Sequence, residues 1–139
     1  MTDGRQRDIA VGATFAVTYT VDDPRAIGFM GPELRVYGTP FIVLDTEQAC
    51  RLWLLDHISP DEDSVGYLVE IRHKRPTPMG MTATHDAKVV EVDGDRVTFE
   101  VSVRDAIEEV ATVRHTRVIV EKTRLAKTVQ AKRDRAATA

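Results

Sequence analysis

One strongly apolar segment, residues 39 to 58, constrains the fold more than any other part of the sequence. It opens with Thr39-Pro40 and then carries a dense set of apolar residues: Phe41, Ile42, Val43, Leu44, Ala49, Cys50, Leu52, Trp53, Leu54 and Leu55. Threonine is a good N-cap and proline is favoured in a first helical turn, so the segment predicts an α-helix from Thr39 to about Ile58. Because the apolar residues cover more than one stripe, we expect this helix to be buried on several sides.

Strand patterns stand on both sides of this helix. Phe15, Val17, Tyr19 and Val21 alternate with smaller residues before it, and four further strands are predicted after it, at about 65–74, 81–92, 97–103 and 108–122. Asp93-Gly94 marks a hairpin between two of them. We expect the four later strands to form an antiparallel meander around the single helix. This layout is typical of an α+β protein with the hotdog architecture.

The chain length and its breakers predict one domain over residues 1–139. Residues 1–11 read as a short arm. Residues 22–38 contain three glycines and two prolines and read as a long lid-like loop. The charged, alanine-rich tail at 124–139 is either helical or frayed.

Composition excludes several classes of protein. The net charge of −3 argues against non-specific nucleic-acid binding, and no apolar run approaches the ~20 residues that span a bilayer. The N-terminus lacks a signal-peptide pattern, and the single cysteine, Cys50, predicts a buried thiol in a reducing compartment, so we expect a cytoplasmic protein. The sequence has no P-loop, dinucleotide motif, nucleophile elbow or metal-ligand set.

Three residues could carry acid–base or nucleophilic chemistry. Glu47 lies within the apolar helix, where a carboxylate is costly unless it is paired or functional; alternatively it shares a wet face with Asp45, Gln48 and Arg51. The hydroxyl of Thr39 either caps its own helix or faces a substrate carbonyl at the helix N-terminus. His73 ends a predicted strand and is either a general acid–base or a surface residue.

Two more residues have binding and structural interpretations. Gly66 lies near the start of the strand that His73 ends, where it either marks a bulge or lets a ligand approach the backbone. Arg117 follows His115 by two residues and so lies on the same face of the last strand. It is either a solvated arginine or a ligand for a phosphate or carboxylate.

The spacing Thr39–Glu47–Gly66–His73–Arg117 resembles the fluoroacetyl-CoA thioesterase-like family of the hotdog superfamily. The resemblance runs from Thr39 to the C-terminus and includes the stretches 47–50 and 115–117. It implies that Thr39, Glu47 and His73 are catalytic and that Gly66 and Arg117 contact the acyl-CoA substrate. It also implies thioester hydrolysis without a metal or cofactor, in a homodimer or a dimer of dimers.

The sequence departs from the family pattern at the lid and beside the threonine. Met30 and Glu33 stand where the fluoroacetyl-selective relative has phenylalanines, and Pro40 stands where it has glycine. We therefore expect an acyl-CoA thioesterase that is not fluoroacetyl-selective. The alternatives are a non-hydrolytic acyl-thioester or small-ligand binding protein and, ranked last, a hotdog dehydratase.

Because the helical rise is 1.5 Å per residue, Thr39 and Glu47 are separated by about 12 Å along one helix. Either Thr39 lies on a loop that folds back over the helix, or the site combines parts of two chains.

Overall fold

A computed structural model describes residues 7–139, and its framework is a five-stranded antiparallel sheet packed against one long helix. The elements in chain order are β1 (Thr14–Thr20), α1 (Thr39–Leu55), β2 (Glu62–His73), β3 (Thr82–Asp93), β4 (Arg96–Arg104), β5 (Glu109–Glu121) and α2 (Lys122–Thr138). Two short 3-10 turns, Asp23–Arg25 and Pro32–Leu34, lie between β1 and α1. Most of the predicted arm, residues 1–6, lies outside the described residues.

The strand order is β1-β3-β4-β5-β2. Strands β3, β4 and β5 form the predicted meander, but β2 does not lie beside β3. It pairs instead with β5, from Glu62↔Glu121 to His73↔Ala111, and forms one edge of the sheet. The predicted four-strand meander is therefore wrong in the place of β2, because apolar alternation specifies a strand and its faces but not its neighbour.

Helix α1 begins at Thr39 as predicted and ends at Leu55, three residues before the predicted end. Its N-cap is Gly38 and not Thr39. A Cβ atom at Gly38 would lie 2.8 Å from side-chain carbons of both Ile27 and Phe41, so only glycine fits this position. Thr39 is thus displaced into the first helical turn, and its hydroxyl is released from capping.

The core lies between α1 and the inner face of the sheet. Ile42, Cys50 and Leu54 of the helix are fully buried against it, which confirms the prediction of a buried Cys50 thiol. The helix is not buried on several sides in the single chain, since Leu44 and Leu52 remain about half exposed.

The tail forms a regular helix, α2, of which no residue is buried. This decides between the helical and frayed alternatives. No helix within residues 7–139 is both long and apolar enough to cross a membrane.

Candidate active site

The first residue of α1 meets the last residue of β2. Thr39 Oγ1 lies 2.7 Å from His73 Nδ1, a hydrogen-bond distance. The expected capping bond to the helix backbone is absent among the described residues, because the cap is Gly38. A hydroxyl next to an imidazole nitrogen is the arrangement from which a base activates a nucleophile or a water molecule.

Burial makes the His73 imidazole less basic. Desolvation lowers the pKa of His73 below its usual 6.5, and the backbone of Arg75 acts weakly in the opposite direction. The Nε2 atom is buried and has no hydrogen-bond partner within the described chain. At neutral pH the ring is therefore uncharged, which leaves one nitrogen able to accept a proton. The ring borders an open depression together with Val36, Lys74, Arg75 and Pro76.

A second group forms around the carboxylate of Glu47. Its Oε2 lies 3.9 Å from Arg117 Nη1, and the side chain is 35% exposed. The same oxygen would lie 2.8 Å from a Cβ atom placed on Gly66. Gly66 therefore leaves the space that the carboxylate occupies, and a β-bulge separates Gly66 from Leu68. The bulge interpretation of Gly66 is confirmed. The approach of a ligand to its backbone stays a prediction, and the Glu47 carboxylate is the group that lies there in this structure.

Arg117 is buried and held by a fixed set of acceptors, so it is not a solvated strand residue. Its Nε donates to Ser64 Oγ at 2.6 Å and its Nη2 donates to the Ser64 carbonyl at 2.8 Å. Its Nη1 lies 3.2 Å from His115 Nε2. His115 Nδ1 lies 2.8 Å from the Leu68 carbonyl and must carry the ring hydrogen, so His115 Nε2 accepts from Arg117. Burial lowers the pKa of His115, which favours this neutral form.

The two groups lie apart in a single chain. Gly66 and His73 are separated by seven residues of β2, about 23 Å of strand. Thr39 and Glu47 are separated by about 12 Å of helix. Thr39 lies inside α1, so it does not reach Glu47 on a loop folded back over the helix. The chain thus carries two separate polar groups, the Thr39–His73 pair and the Glu47–Gly66–Arg117 group.

A third polar cluster was not expected from the sequence. The sequence allows Asp45, Gln48 and Arg51 to share a solvent-exposed face of α1, but Asp45 is only 3% exposed. Arg25 donates to its carboxylate from Nε at 2.7 Å and from Nη2 at 3.1 Å, and the Tyr37 hydroxyl donates to it as well. Arg25 and Tyr37 are remote in sequence, so no local pattern marks the burial of Asp45.

The cluster continues through a buried histidine. His85 Nε2 lies 3.1 Å from the Tyr37 hydroxyl, and His85 Nδ1 lies 2.9 Å from Thr46 Oγ1. Desolvation lowers the pKa of His85 to about 4. Across residues 7–139, no three His, Cys, Asp or Glu side chains are grouped so as to hold a metal ion.

Comparisons with known proteins place this architecture in a family. Residues 21–123 match the profile of the fluoroacetyl-CoA-specific thioesterases. The fluoroacetyl-CoA thioesterase of Streptantibioticus cattleyicolor is 28% identical over 117 residues, which cover 79% of this chain and 84% of the relative. A solved fluoroacetyl-CoA thioesterase superposes with a TM-score of 0.80 at 27% identity, over 89% of this chain and 97% of the other.

A solved structure with lower sequence identity has the same fold. A hot-dog-like protein from Thermanaerovibrio acidaminovorans superposes with a TM-score of 0.81 at 24% identity, over 88% of this chain and 91% of the other. The hotdog prediction is confirmed. The family match spans most of the chain and includes both polar groups described above. The protein therefore belongs to the fluoroacetyl-CoA-specific thioesterase family of hotdog-fold thioester hydrolases.

Proposed function

We propose that this protein is a homodimeric acyl-CoA thioesterase that hydrolyses a small acyl-thioester to a carboxylate and free CoA. The observation that carries the proposal is the 2.7 Å contact between the exposed Thr39 hydroxyl and the uncharged His73 ring. A paired hydroxyl and base at a helix N-terminus is the equipment that acyl transfer requires. The relatives named above support the thioester class of substrate.

In the proposed reaction, Thr39 and His73 act on the thioester carbonyl. In the acyl-enzyme route, His73 Nδ1 accepts the hydroxyl proton of Thr39 as the Thr39 oxygen attacks the carbonyl, and the CoA thiolate leaves with that proton. Water, deprotonated by the same ring, then cleaves the acyl-threonine and releases the carboxylate. In the general-base route, a water molecule oriented by Thr39 attacks instead, and its proton passes to the base and then to the CoA thiolate. The depressed pKa of His73 supports this role, because the free base is already present at neutral pH.

The first turn of α1 offers one backbone donor for the oxyanion. Pro40 has no N–H, and the N–H groups of Phe41 and Ile42 donate to the Gly38 carbonyl at 3.0 Å. The N–H of Thr39 has no acceptor within the described residues. The negative charge that develops on the carbonyl oxygen would therefore be met by Thr39 itself, aided by the positive end of the helix dipole.

Glu47 is the proposed second catalytic group, acting as a base toward water or as a nucleophile. Arg117 lies beside its carboxylate, and Ser64 and His115 fix the guanidinium plane. Gly66 leaves room for the carboxylate, and Gly66 and Arg117 together are the proposed substrate-binding pair. The general-base and acyl-enzyme routes both use this arrangement.

A second copy of the chain would bring the two polar groups together, each group contributing half of one shared site. Strand β2 is a 12-residue edge strand that carries Gly66 and His73 and exposes Val65, Tyr67 and Leu68. A long apolar edge strand is a template for pairing with another chain. Antiparallel pairing of two β2 edges would set the Thr39–His73 pair of one subunit near the Glu47–Gly66–Arg117 group of its partner. The half-exposed Leu44 and Leu52 of α1 would gain cover in the same dimer.

The lid-like segment, residues 22–38, bears on substrate choice. Met30 is half exposed and Glu33 is exposed at its tip. By the resemblance described above, these two positions match phenylalanines of the fluoroacetyl-selective relative. A flexible thioether and a carboxylate do not form a rigid aromatic wall. We therefore infer that the acyl group is small but not restricted to fluoroacetyl. A reduced, buried Cys50 fits the inferred cytoplasmic location.

The proposal is tested by thiol release from a panel of acyl-CoAs, short to long, including fluoroacetyl-CoA and a malonyl-type acid. Glu47→Ala and His73→Ala should each lower turnover by about 10²- to 10⁴-fold, whereas Glu70→Ala, which removes an exposed glutamate of strand β2, should leave turnover unchanged. Tight acyl-CoA binding without thiol release by the wild-type protein would instead establish a non-hydrolytic binding protein.

A further inference from the structure

The buried carboxylate of Asp45 ties together both ends of the lid-like segment. Arg25, near the start of the segment, donates two hydrogen bonds to it, and Tyr37, near the end, donates one. At the tip of the segment the side chains face outward: Phe29 is 82% exposed and Leu34 is 55% exposed. Asp45 thus joins the two ends of the segment at its base.

The hydrogen-bond directions in this cluster are determined by its donors. The Tyr37 hydroxyl gives its one proton to Asp45, so its oxygen accepts from His85 Nε2. His85 Nδ1 then carries no hydrogen and accepts a hydrogen bond from the Thr46 hydroxyl. Tyr37, Asp45, Thr46 and His85 are all at most 3% exposed, so these four side chains cannot touch a substrate.

The cluster reaches Thr39 through the backbone on both sides of it. Upstream, the Gly38 N–H donates to the Arg25 carbonyl at 2.9 Å, and the Tyr37 N–H donates to the Thr77 carbonyl at 2.8 Å. Downstream, Asp45 lies in the second turn of the helix that Thr39 begins. Any movement of Arg25 or Tyr37 is therefore passed to the residues directly before Thr39.

Stability alone is a weak reason for such a cluster. Replacing a buried ion pair by well-packed apolar residues is often neutral or stabilising, because the desolvation of two charges offsets their attraction. A fully satisfied polar network does, however, select one arrangement of the elements that it joins. The elements joined here are the lid-like segment, α1 and β3.

We propose that Asp45 is a positioning residue: by holding Arg25 and Tyr37 at the base of the lid-like segment, it keeps the Thr39 hydroxyl against His73. The geometric part concerns the molecule itself, and the catalytic consequence rests on the proposed thioesterase function. Asp45 acts through Thr39 and not on the substrate.

The kinetic test uses Asp45→Asn, with Asp22→Asn as the matched control. Asp22 also pairs with Arg25, at 2.9 Å, but its side chain is 45% exposed. Because a misplacement of about 1 Å at a reacting group costs up to ~10²-fold in rate, Asp45→Asn should lower kcat by about 10- to 100-fold with KM nearly unchanged. Asp22→Asn should change kcat less than twofold. Tyr37→Phe, which keeps the ring and the Arg25–Asp45 pair, provides a milder second variant with the same kcat–KM pattern.

A double-mutant cycle separates positioning from general destabilisation. If Asp45 acts through Thr39, then Asp45→Asn should cost little further activity in a Thr39→Ala background. Equal losses of activity in both backgrounds would overturn the proposal. So would a folded Asp45→Asn protein, with a normal thermal transition, that retains wild-type kcat.

A third readout does not depend on turnover. In Asp45→Asn, the hydrogen-bonded backbone N–H groups of Gly38, Phe41 and Ile42 should exchange their hydrogens faster, and the His73 imidazole NMR signals should move toward those of Thr39→Ala. If these changes occur but no variant, including the wild type, hydrolyses acyl-CoAs, then the proposed function fails while the positioning role stands. Unchanged exchange and unchanged His73 signals would refute the positioning role itself.

Discussion

Replacing Gly66 by alanine tests whether the position of the Glu47 carboxylate matters to the reaction. The new Cβ would lie 2.8 Å from Glu47 Oε2, whereas ordinary contacts of a Cβ atom begin at 3.4 Å. The carboxylate must therefore retreat by about 0.6 Å or rotate away from Arg117. The backbone should tolerate the change, since Gly66 is exposed and its φ is not positive.

Displacements on this scale at a reacting group cost up to ~10²-fold in rate. We expect kcat/KM for the preferred acyl-CoA to fall by about 10- to 100-fold, or about 1.4 to 2.7 kcal/mol of barrier. The free energy of unfolding should change by no more than about 1 kcal/mol, because alanine also restricts the unfolded chain. Thiol release measures the first quantity and urea denaturation the second.

Two further variants sharpen this prediction. Gly28→Ala is the matched control, because its Cβ would meet only Arg35 Nε, at 3.9 Å. In a Glu47→Ala background, Gly66→Ala should have almost no effect on the residual rate. Wild-type kcat/KM in Gly66→Ala would refute the reasoning, and so would an equal loss with and without the Glu47 carboxylate.

Three other outcomes follow from the geometry. Arg117→Lys keeps the charge but lacks the planar guanidinium fork that bonds Ser64 and His115 together, so kcat/KM should fall at least tenfold, as thiol release would detect. Burial lowers the pKa of His85 to about 4 in the folded state, against 6.5 in the unfolded chain. As the pH falls from 6.5 toward 4, the unfolded chain takes up a proton on this ring and the folded state does not, so the free energy of unfolding decreases. Urea denaturation should therefore show His85→Gln losing about 3 kcal/mol less than the wild type between pH 7 and pH 4. Leu68→Lys places a charge on the exposed β2 edge and should yield an inactive monomer in sedimentation; an active dimer would contradict pairing through that edge.

Much of the fold follows from local patterns. The apolar run after Thr39-Pro40, the alternation of Val97 to Val103 and the Asp93-Gly94 turn each specify an element with little help from the rest of the chain. The position of β2 was not predictable in this way. Its apolar residues would suit a place beside β3 or beside β5, and only the assembled core decides between them.

The site shows the same division between local and long-range information. The contact between Thr39 and His73 brings together residues 34 positions apart, and the sequence indicated it only through resemblance to a family. The sequence predicts Thr39 as an N-cap, but the cap is Gly38, where any Cβ atom would clash with the side chains of Ile27 and Phe41. Ile27 lies eleven positions before Gly38, so no local pattern shows this clash. Asp45 was missed because its acceptor role depends on Arg25, which lies 20 positions earlier.

Subunit complementation tests whether two copies of this chain together complete the proposed thioesterase site. Thr39→Ala and Glu47→Ala proteins, each expected to keep at most about 1% of wild-type activity alone, would be unfolded together, refolded as a mixture and assayed for thiol release. Random pairing makes half of the dimers mixed, each with one intact site, so about a quarter of wild-type activity should return. If Thr39 and Glu47 instead serve the same site within one chain, every site in the mixture is damaged and no activity returns. That absence of recovery would contradict the shared site.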